Sequence, residues 1–397
     1  MRRNVVLLVL TLALLSVGIA PGLSQPAIVS TTTCLGPTVY NDLIAFAKDV
    51  YPDNTLMIYR ISTATLTDTG IGPAYFPSVY QNLIAFATIT TREETYIGLY
   101  DVSTSTLKMI FHQDPGNIID FTDWNLGGRA VSIDGNIIAF WDYEGIWYYN
   151  IASASWTQIS SSTGPKWGIS IRNNIIAFSA GPSGSQTISY YNVSGGTTTE
   201  TGINGLRPSM GQNLIAFDWN NTIFYYNIDT GILANTGAAG KQASIWSDLI
   251  AFTTYEGWTG LDMNADGDMD DYVIRYYNLS SDLVTNTGET GESPSLWGRA
   301  TFTTKEGDLG VDVNGDGDFE DLIARLLNIR VPGDLNDDGV VNIADLSVLS
   351  AHWSGPPTGL SGYSLVADIN YDGEVNLIDS AILSAYWTGP PKGPLVP

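Results

Sequence analysis

The chain has 397 residues, and several residue types are scarce: one cysteine, two histidines, and 17 basic residues against 41 acidic ones. The single cysteine, Cys34, rules out an internal disulfide. A formal charge of −24 leaves no basic patch to grip phosphates, so nucleic acid is excluded as a partner. His112 and His352 are too few for most histidine-based mechanisms. No Gly-x-Ser-x-Gly elbow, His-Glu-x-x-His pair or phosphate-cradling glycine loop is present. Long apolar runs are missing beyond Val5–Ala20. That run follows Arg2 and Arg3 and precedes the small residues Gly22 and Ser24, so residues 1–24 read as a signal peptide cut before Gln25. It is short for a membrane span, and an uncleaved anchor is the alternative reading. The mature protein is expected to be secreted, extracellular or associated with the cell surface, with no membrane span. Cys34 lies well past the cut and reads as a small buried side chain.

What is present excludes disorder. Hydrophobic residues make up 44%, aromatic residues 11% and charged residues only 15%. One phrase recurs as Leu43-Ile44-Ala45-Phe46, then at Phe86, Phe140, Phe178, Phe217 and Phe252, with a degenerate copy ending at Phe302. Repeats of about this period mark propellers, solenoids or arrays. Each copy follows one grammar. A Pro-x-apolar step often leads, as at Pro37, Pro77 and Pro294. A polar turn and the Ile-Ala-Phe strand follow, and then an aromatic strand such as Tyr190-Tyr191-Asn192. A Thr-rich strand closes the unit at Thr-Gly, as at Thr69-Gly70 and Thr236-Gly237. Four short strands in about 40 residues make one propeller blade. Seven copies predict a mainly β fold, a seven-bladed β-propeller over 26–330. The last unit lacks its fourth strand, and Ala27–Thr33 reads as the missing one, so the N-terminus is expected to close the ring. These units resemble bacterial and archaeal extracytoplasmic propellers of the TolB-like kind; a β-solenoid is the runner-up.

The last two units carry matching insertions, 50 residues apart. They are Asp262-Met263-Asn264-Ala265-Asp266-Gly267-Asp268-Met269-Asp270-Asp271 and Asp312-Val313-Asn314-Gly315-Asp316-Gly317-Asp318-Phe319-Glu320-Asp321. Oxygen ligands at alternate positions around a glycine turn suit calcium, which accepts six to eight oxygens in irregular geometry. The expected ligands are Asp262, Asn264, Asp266 and the Asp268 carbonyl, with Asp270 or Asp271 closing. The second set is Asp312, Asn314, Asp316 and Asp318, with Glu320 or Asp321 closing. The loops resemble calcium-binding hairpins in other propellers, including those of integrin α chains. Glu144, Glu256 and Glu306 share a Phe-x-x-x-Glu-Gly spacing. They read as polar hairpin residues, with a ligand-facing or calcium-supporting carboxylate as the sharper alternative.

Composition shifts at Val331-Pro332-Gly333, and two twelve-residue loops follow, starting at Asp334 and Asp368. Their candidate calcium ligands are Asp334, Asn336, Asp338, Val340 (by its carbonyl), Asn342 and Asp345, then Asp368, Asn370, Asp372, Glu374, Asn376 and Asp379. Position 12 is Asp in both, where an EF-hand usually has Glu. An apolar helix is predicted after each loop, ending in Trp-Ser/Thr-Gly-Pro-Pro. Residues 333–390 resemble a type I dockerin, and the small α-helical domain is placed at 331–397. The resemblance implies calcium-dependent docking to a cohesin-type domain of a scaffold or cell-surface protein. It implies that Ile343, Ala344, Ser350 and Ala351, repeated as Leu377, Ile378, Ser384 and Ala385, face that partner. An appendage packed against its own propeller is the plainer alternative.

No catalytic motif emerges, and enzyme status stays open. His112 with Asp114, Asp120 and Asp123 is the best catalytic cluster the sequence offers. Three readings of the propeller follow: a glycan- or protein-binding module in polysaccharide degradation, a glycoside hydrolase or polysaccharide lyase, or a cell-surface spacer. Clustered Trp and Tyr on one face would favour binding; two facing carboxylates in a channel, or His with Arg and Tyr, would favour catalysis; a smooth polar top would favour the spacer.

Overall fold

A computed structural model describes residues 26–30, 33–48, 54–89, 95–111, 130–141, 145–161, 166–329, 335, 341, 343–353 and 375–385. Seven four-stranded antiparallel sheets form the blades of a propeller. In the first blade the strands run Cys34–Tyr40, Leu43–Lys48, Leu56–Arg60 and Thr65–Asp68, from the axis outwards. The seventh is assembled from both ends of the fold. Glu292–Leu296, Ala300–Lys305 and Leu322–Leu327 are completed by Ala27–Ile28, which pairs antiparallel with Leu322–Leu327. The N-terminal segment thus supplies the outer strand of the last blade. Among the described residues no helix is long and apolar enough to cross a membrane.

The repeated phrase maps onto the second strand of each blade. Phe46, Phe217, Phe252 and Phe302 are fully buried, and Phe86, Phe140 and Phe178 nearly so. Each such ring contributes about 1.5–3 kcal/mol by leaving water. Glycines make room for several of them: a Cβ on Gly240 would lie 2.5 Å from the Phe252 ring, and one on Gly205 2.5 Å from Phe217.

The Thr-Gly signature marks a bulge. The hydroxyls of Thr69, Thr201, Thr236 and Thr287 donate to the carbonyls of Leu56, Ile188, Ile223 and Ile274, at 2.7, 2.6, 2.7 and 2.5 Å. The glycine that follows takes a left-handed φ, between 66 and 74°, at all four sites. The Tyr-Tyr-Asn signature ends in a turn former. Oδ1 of Asn150, Asn227 and Asn278 accepts two backbone N–H groups of the turn that follows each.

Around the axis, one small hydroxyl per inner strand ties each blade to the next. The N–H groups of Val39, Ile133, Ile171, Met210, Ile245 and Leu296 donate to Oγ of Ser295, Ser78, Ser132, Ser170, Ser209 and Ser244, at 2.9–3.3 Å. Thr38 Oγ1 donates to the Pro77 carbonyl at 3.1 Å, completing a belt through all seven blades.

Two helices, Ile343–Ala351 and Leu377–Ala385, follow the propeller. Their buried residues Leu349 and Leu383, with Leu335, Val341 and Val375, join one apolar cluster with Trp246, Leu249, Leu296 and Ile329 of the propeller. The C-terminal region therefore packs against the last two blades.

Candidate metal centres and partner surface

The two acidic insertions fold alike. In blade six, Asp262 accepts from the N–H groups of Ala265 (2.7 Å) and Gly267 (3.1 Å). A staircase follows in which Asn264, Asp266 and Asp268 each accept from the N–H two residues on, at 3.3, 3.1 and 2.9 Å. In blade seven Asp312 holds Gly315 (2.6 Å) and Gly317 (3.0 Å), and Asn314, Asp316 and Asp318 repeat the staircase at 2.9, 3.1 and 2.9 Å. Turns of this kind bend the backbone around a point while keeping a second lone pair on each oxygen.

Of the residues proposed as loop closers, the two in each pair face different ways. Asp270 accepts from the Tyr255 hydroxyl at 2.5 Å, and Glu320 pairs with Lys305 at 2.6 Å. Asp271 and Asp321 turn inward. Oxygens of Glu256, Asp268 and Asp271 lie within 4.8 Å of one another, and so do those of Glu306, Asp318 and Asp321. Asn264 Nδ2 donates to both Asp266 (2.9 Å) and Asp271 (2.8 Å), so this amide sits between two carboxylates. Burial and the neighbouring Asp266 and Asp308 push the Asp271 carboxyl up to about 7, and burial with Asp316 raises that of Asp321. Crowded acid of this sort fits a hard divalent cation.

Sequence reasoning placed Glu256 and Glu306 on polar hairpins, and the structure corrects this. Both are fully buried and open four-residue helices, Glu256–Thr259 and Glu306–Leu309. Glu256 Oε1 accepts from the N–H groups of Met263 and Asn264, the latter at 3.2 Å. Glu306 Oε1 accepts from Val313 (2.8 Å) and Asn314 (3.2 Å). Their spacing was visible in the sequence; their burial was not. Glu144 lies outside the described residues.

Beside the blade-six loop, Tyr255, Trp258 and Tyr272 form an aromatic cluster with ring centroids 5.2–6.2 Å apart. Trp258 is exposed, as are Leu261 and Met269 in blade six and Val311 and Phe319 in blade seven. Among the described residues Trp246 is buried, and Trp141, Trp147, Trp156 and Trp297 pack, partly buried, against the blade cores.

The channel along the axis encloses a cavity of about 60 Å³, and the hydroxyl belt lines it. At one mouth Arg172 of blade four lies over the Trp297 ring at 4.2 Å, and Tyr40 packs on the same indole at 4.0 Å. Tyr80 extends the stack, 5.0 Å from Tyr40. Burial, Tyr80 and Asp134 push the Tyr40 hydroxyl up to about 12. Asp134 is the one carboxylate among the described lining residues, so no facing pair for glycoside hydrolysis occurs among them. His112, Asp114, Asp120 and Asp123 lie outside the described residues.

In the C-terminal region, Asp345 and Asp379 are fully buried at the starts of their helices. Asp345 Oδ1 accepts from Leu335 N–H at 2.7 Å, and Asp379 Oδ2 accepts from Asn376 N–H at 2.8 Å. The other proposed loop ligands, Asp334, Asn336, Asp338, Val340, Asn342, Asp368, Asn370, Asp372 and Glu374, lie outside the described residues. Opposite the packed face, Ile343 is 67% exposed and Leu377 74%, the highest values among large apolar side chains of the described residues. Ser350, Ala351 and Ser384 are exposed and Ala344 is half-buried, while Ile378 and Ala385 lie on the second helix.

Residues 332–387 match the dockerin type I domain. A dockerin implies docking to a cohesin within a modular protein, and dockerins as a class bind calcium. None of the curated protein sequences matches this chain. Among solved structures, oligogalacturonate lyase from Vibrio parahaemolyticus is similar at 11% identity and TM-score 0.52, covering 79% of this chain and 99% of that one. TolB from Acinetobacter baumannii is similar at 16% identity and TM-score 0.41, covering 62% of this chain and 63% of that one. The tricorn protease matches at 14% identity and TM-score 0.35, covering 68% of this chain and 28% of that one. The chain thus spans less than two thirds of the latter two, and at these identities the likeness concerns fold alone.

Proposed function

We propose that this is a secreted, calcium-binding modular protein whose dockerin fastens it to a cohesin-type domain while its propeller presents a binding face to polysaccharide. The observation that carries this reading is the dockerin match together with Ile343 and Leu377. These two apolar side chains stand in water at equivalent positions of the two helices. Exposed apolar residues at a repeated position suit a partner that covers them. Ile343, Ala344, Ser350 and Ala351 form one such face, and Leu377, Ile378, Ser384 and Ala385 the other. Calcium is held by the two dockerin loops and by the two propeller loops.

The Tyr255–Trp258–Tyr272 cluster favours binding over a spacer role, because aromatic rings offer apolar faces to sugar rings with little entropy to lose. An enzymatic propeller would show itself by new reducing ends or unsaturated products from a polysaccharide panel. Retention on one polymer without product is the expected result. For docking, full-length protein is passed over immobilised cohesins in calcium and in chelator. Capture in calcium alone is expected. The paired change Ile343→Asp and Leu377→Asp abolishes it while the melting temperature stays put. Unchanged capture by that variant would move the partner face elsewhere.

A further inference from the structure

Glu256 stands six residues before the first aspartate of its loop, on the blade rather than in the loop. It is 0% exposed, and its Oε2 has no hydrogen-bond partner. Glu306 repeats every feature: 0% exposed, Oε1 bound to two loop N–H groups, Oε2 without a partner. A carboxylate shut away from water normally has its lone pairs matched, since an unmatched one is costly. The same unmatched oxygen at the same place in two blades points to a partner that is neither protein nor bulk water. Each glutamate also belongs to a carboxylate trio whose ligand atoms lie within 4.8 Å of one another.

We propose that Glu256 and Glu306 are direct ligands of the two propeller calcium ions. Glu256 acts with Asp268 and Asp271, and Glu306 with Asp318 and Asp321. The proposal rests on the calcium reading of the loops and adds to it a ligand from outside the motif. The bond geometry divides labour within each carboxylate. One oxygen gathers the first N–H groups of the loop; the other reaches the ion. The ion then joins loop to blade, which a ligand set drawn only from the loop would not do. Three carboxylates and irregular geometry favour calcium over magnesium, which demands near-octahedral ligands and keeps its waters.

Glu256→Gln and Glu306→Gln separate this role from a structural one. Glutamine keeps an Oε1 for the loop amides and replaces the free oxygen with an NH₂ that ligates no cation. In chelator each variant is expected to melt at or above the parent chain, because a buried charge is gone. In calcium each is expected to melt below it, and calcium affinity at one site should fall at least about tenfold. Equal losses in chelator and in calcium would overturn the proposal and leave the glutamates as loop clamps. Calcium titration by calorimetry on full-length Asp334→Ala/Asp368→Ala protein isolates the propeller sites. If that chain binds none, the loop reading itself fails. If it binds two ions and the glutamine changes leave both affinities intact, only the glutamate assignment fails. Should a glutamine variant not fold, a crystal structure of the parent chain in calcium decides. An ion at about 2.3–2.6 Å from Oε2 supports the assignment, and an ion without that bond refutes it.

Discussion

The hydroxyl belt makes a quantitative prediction. Ser170 Oγ accepts the N–H of Met210 in the next blade at 2.9 Å, and both residues are buried, at 7% and 3% exposure. Replacing Ser170 with Ala removes the acceptor and adds nothing in its place, leaving a buried N–H without a partner. That loss is worth about 1–3 kcal/mol, against about 1 kcal/mol for an ordinary hydrogen bond lost with both partners. Taking about 2 kcal/mol, the melting temperature in calcium should fall by roughly 4 °C for a fold of this size. Ser153→Ala is the control: its hydroxyl meets Ser155 Oγ at 2.7 Å on an exposed turn, and its loss should stay within about 0.5 kcal/mol. Ser295, at the seam, belongs to a different junction, between blades seven and one. Ser170→Ala and Ser295→Ala share no partner, so their effects should add within about 0.5 kcal/mol. Differential scanning calorimetry on the single and double variants measures all of this. A Ser170→Ala loss no larger than that of Ser153→Ala would refute the claim that the belt holds neighbouring blades together.

Gly240→Ala should destabilise by about 1–3 kcal/mol in thermal melts, because its Cβ would meet the Phe252 ring at 2.5 Å and Ile223 at 3.1 Å in a packed interior. The two acidic loops offer a reciprocal pair. Ala265 holds φ 63° where blade seven has Gly315 at φ 77°, and a Cβ on Gly315 would meet open space. Ala265→Gly should therefore gain about 1 kcal/mol and Gly315→Ala should lose about as much, read from melts in calcium. Arg207→Ala strands Asp218, which it grips by two bonds of 2.9 and 2.5 Å and whose side chain is 3% exposed. A loss of about 3 kcal/mol is expected in denaturant titrations at neutral pH. Burial already raises the Asp218 carboxyl, and the variant loses the arginine that opposes that shift. The stranded group is destabilising while charged and is relieved once protonated, so the loss should shrink as pH falls.

The blades were legible because each repeat needs the same side chains for the same reasons. Ile-Ala-Phe recurs since the second strand is buried on both faces, and Thr-Gly recurs since one position wants a hydroxyl and the next a left-handed φ. Even the degenerate Arg299-Ala300-Thr301-Phe302 copy keeps its phenylalanine, which is fully buried like those of Phe46 and Phe217. The belt was present in the sequence but unread. A serine or threonine stands eight residues before the phenylalanine in six units and seven before it in the last. The motif was hidden because serine is common at turns, and only the closed ring shows that each hydroxyl serves the neighbouring blade. Glu256 and Glu306 were picked out by their spacing, but their burial was hidden for another reason. Local sequence reports that a residue is a carboxylate after a strand; it does not report that a ten-residue insertion folds back over it. The Arg172–Trp297 contact joins blades four and seven, and no local pattern encodes a contact across the ring.

The acidic insertion of blade seven touches the seam. Among the described residues, closure there pairs Ala27 with Leu326 and Ile28 with Arg325, and the Val29 N–H donates to the Ala324 carbonyl at 2.8 Å. Side chains add to this. Val29 and Cys34 are buried with Ala324 and Leu326, and Trp297 Nε1 donates to Asn41 at 2.9 Å across the junction. The Thr33 hydroxyl donates to Asp321, itself part of the blade-seven carboxylate trio. Leu322–Leu327, the strand that accepts the closing segment, also leads through Ile329 into the cluster shared with the dockerin helices. A dockerin held by a scaffold would transmit load to that strand first, where the pairing is shortest. An ion bound by Glu306, Asp318 and Asp321, as proposed above, would fix the loop between the second and third strands of the same blade and, through Asp321, the incoming N-terminal segment. Metal bound at this point would therefore stabilise the ring at its short seam.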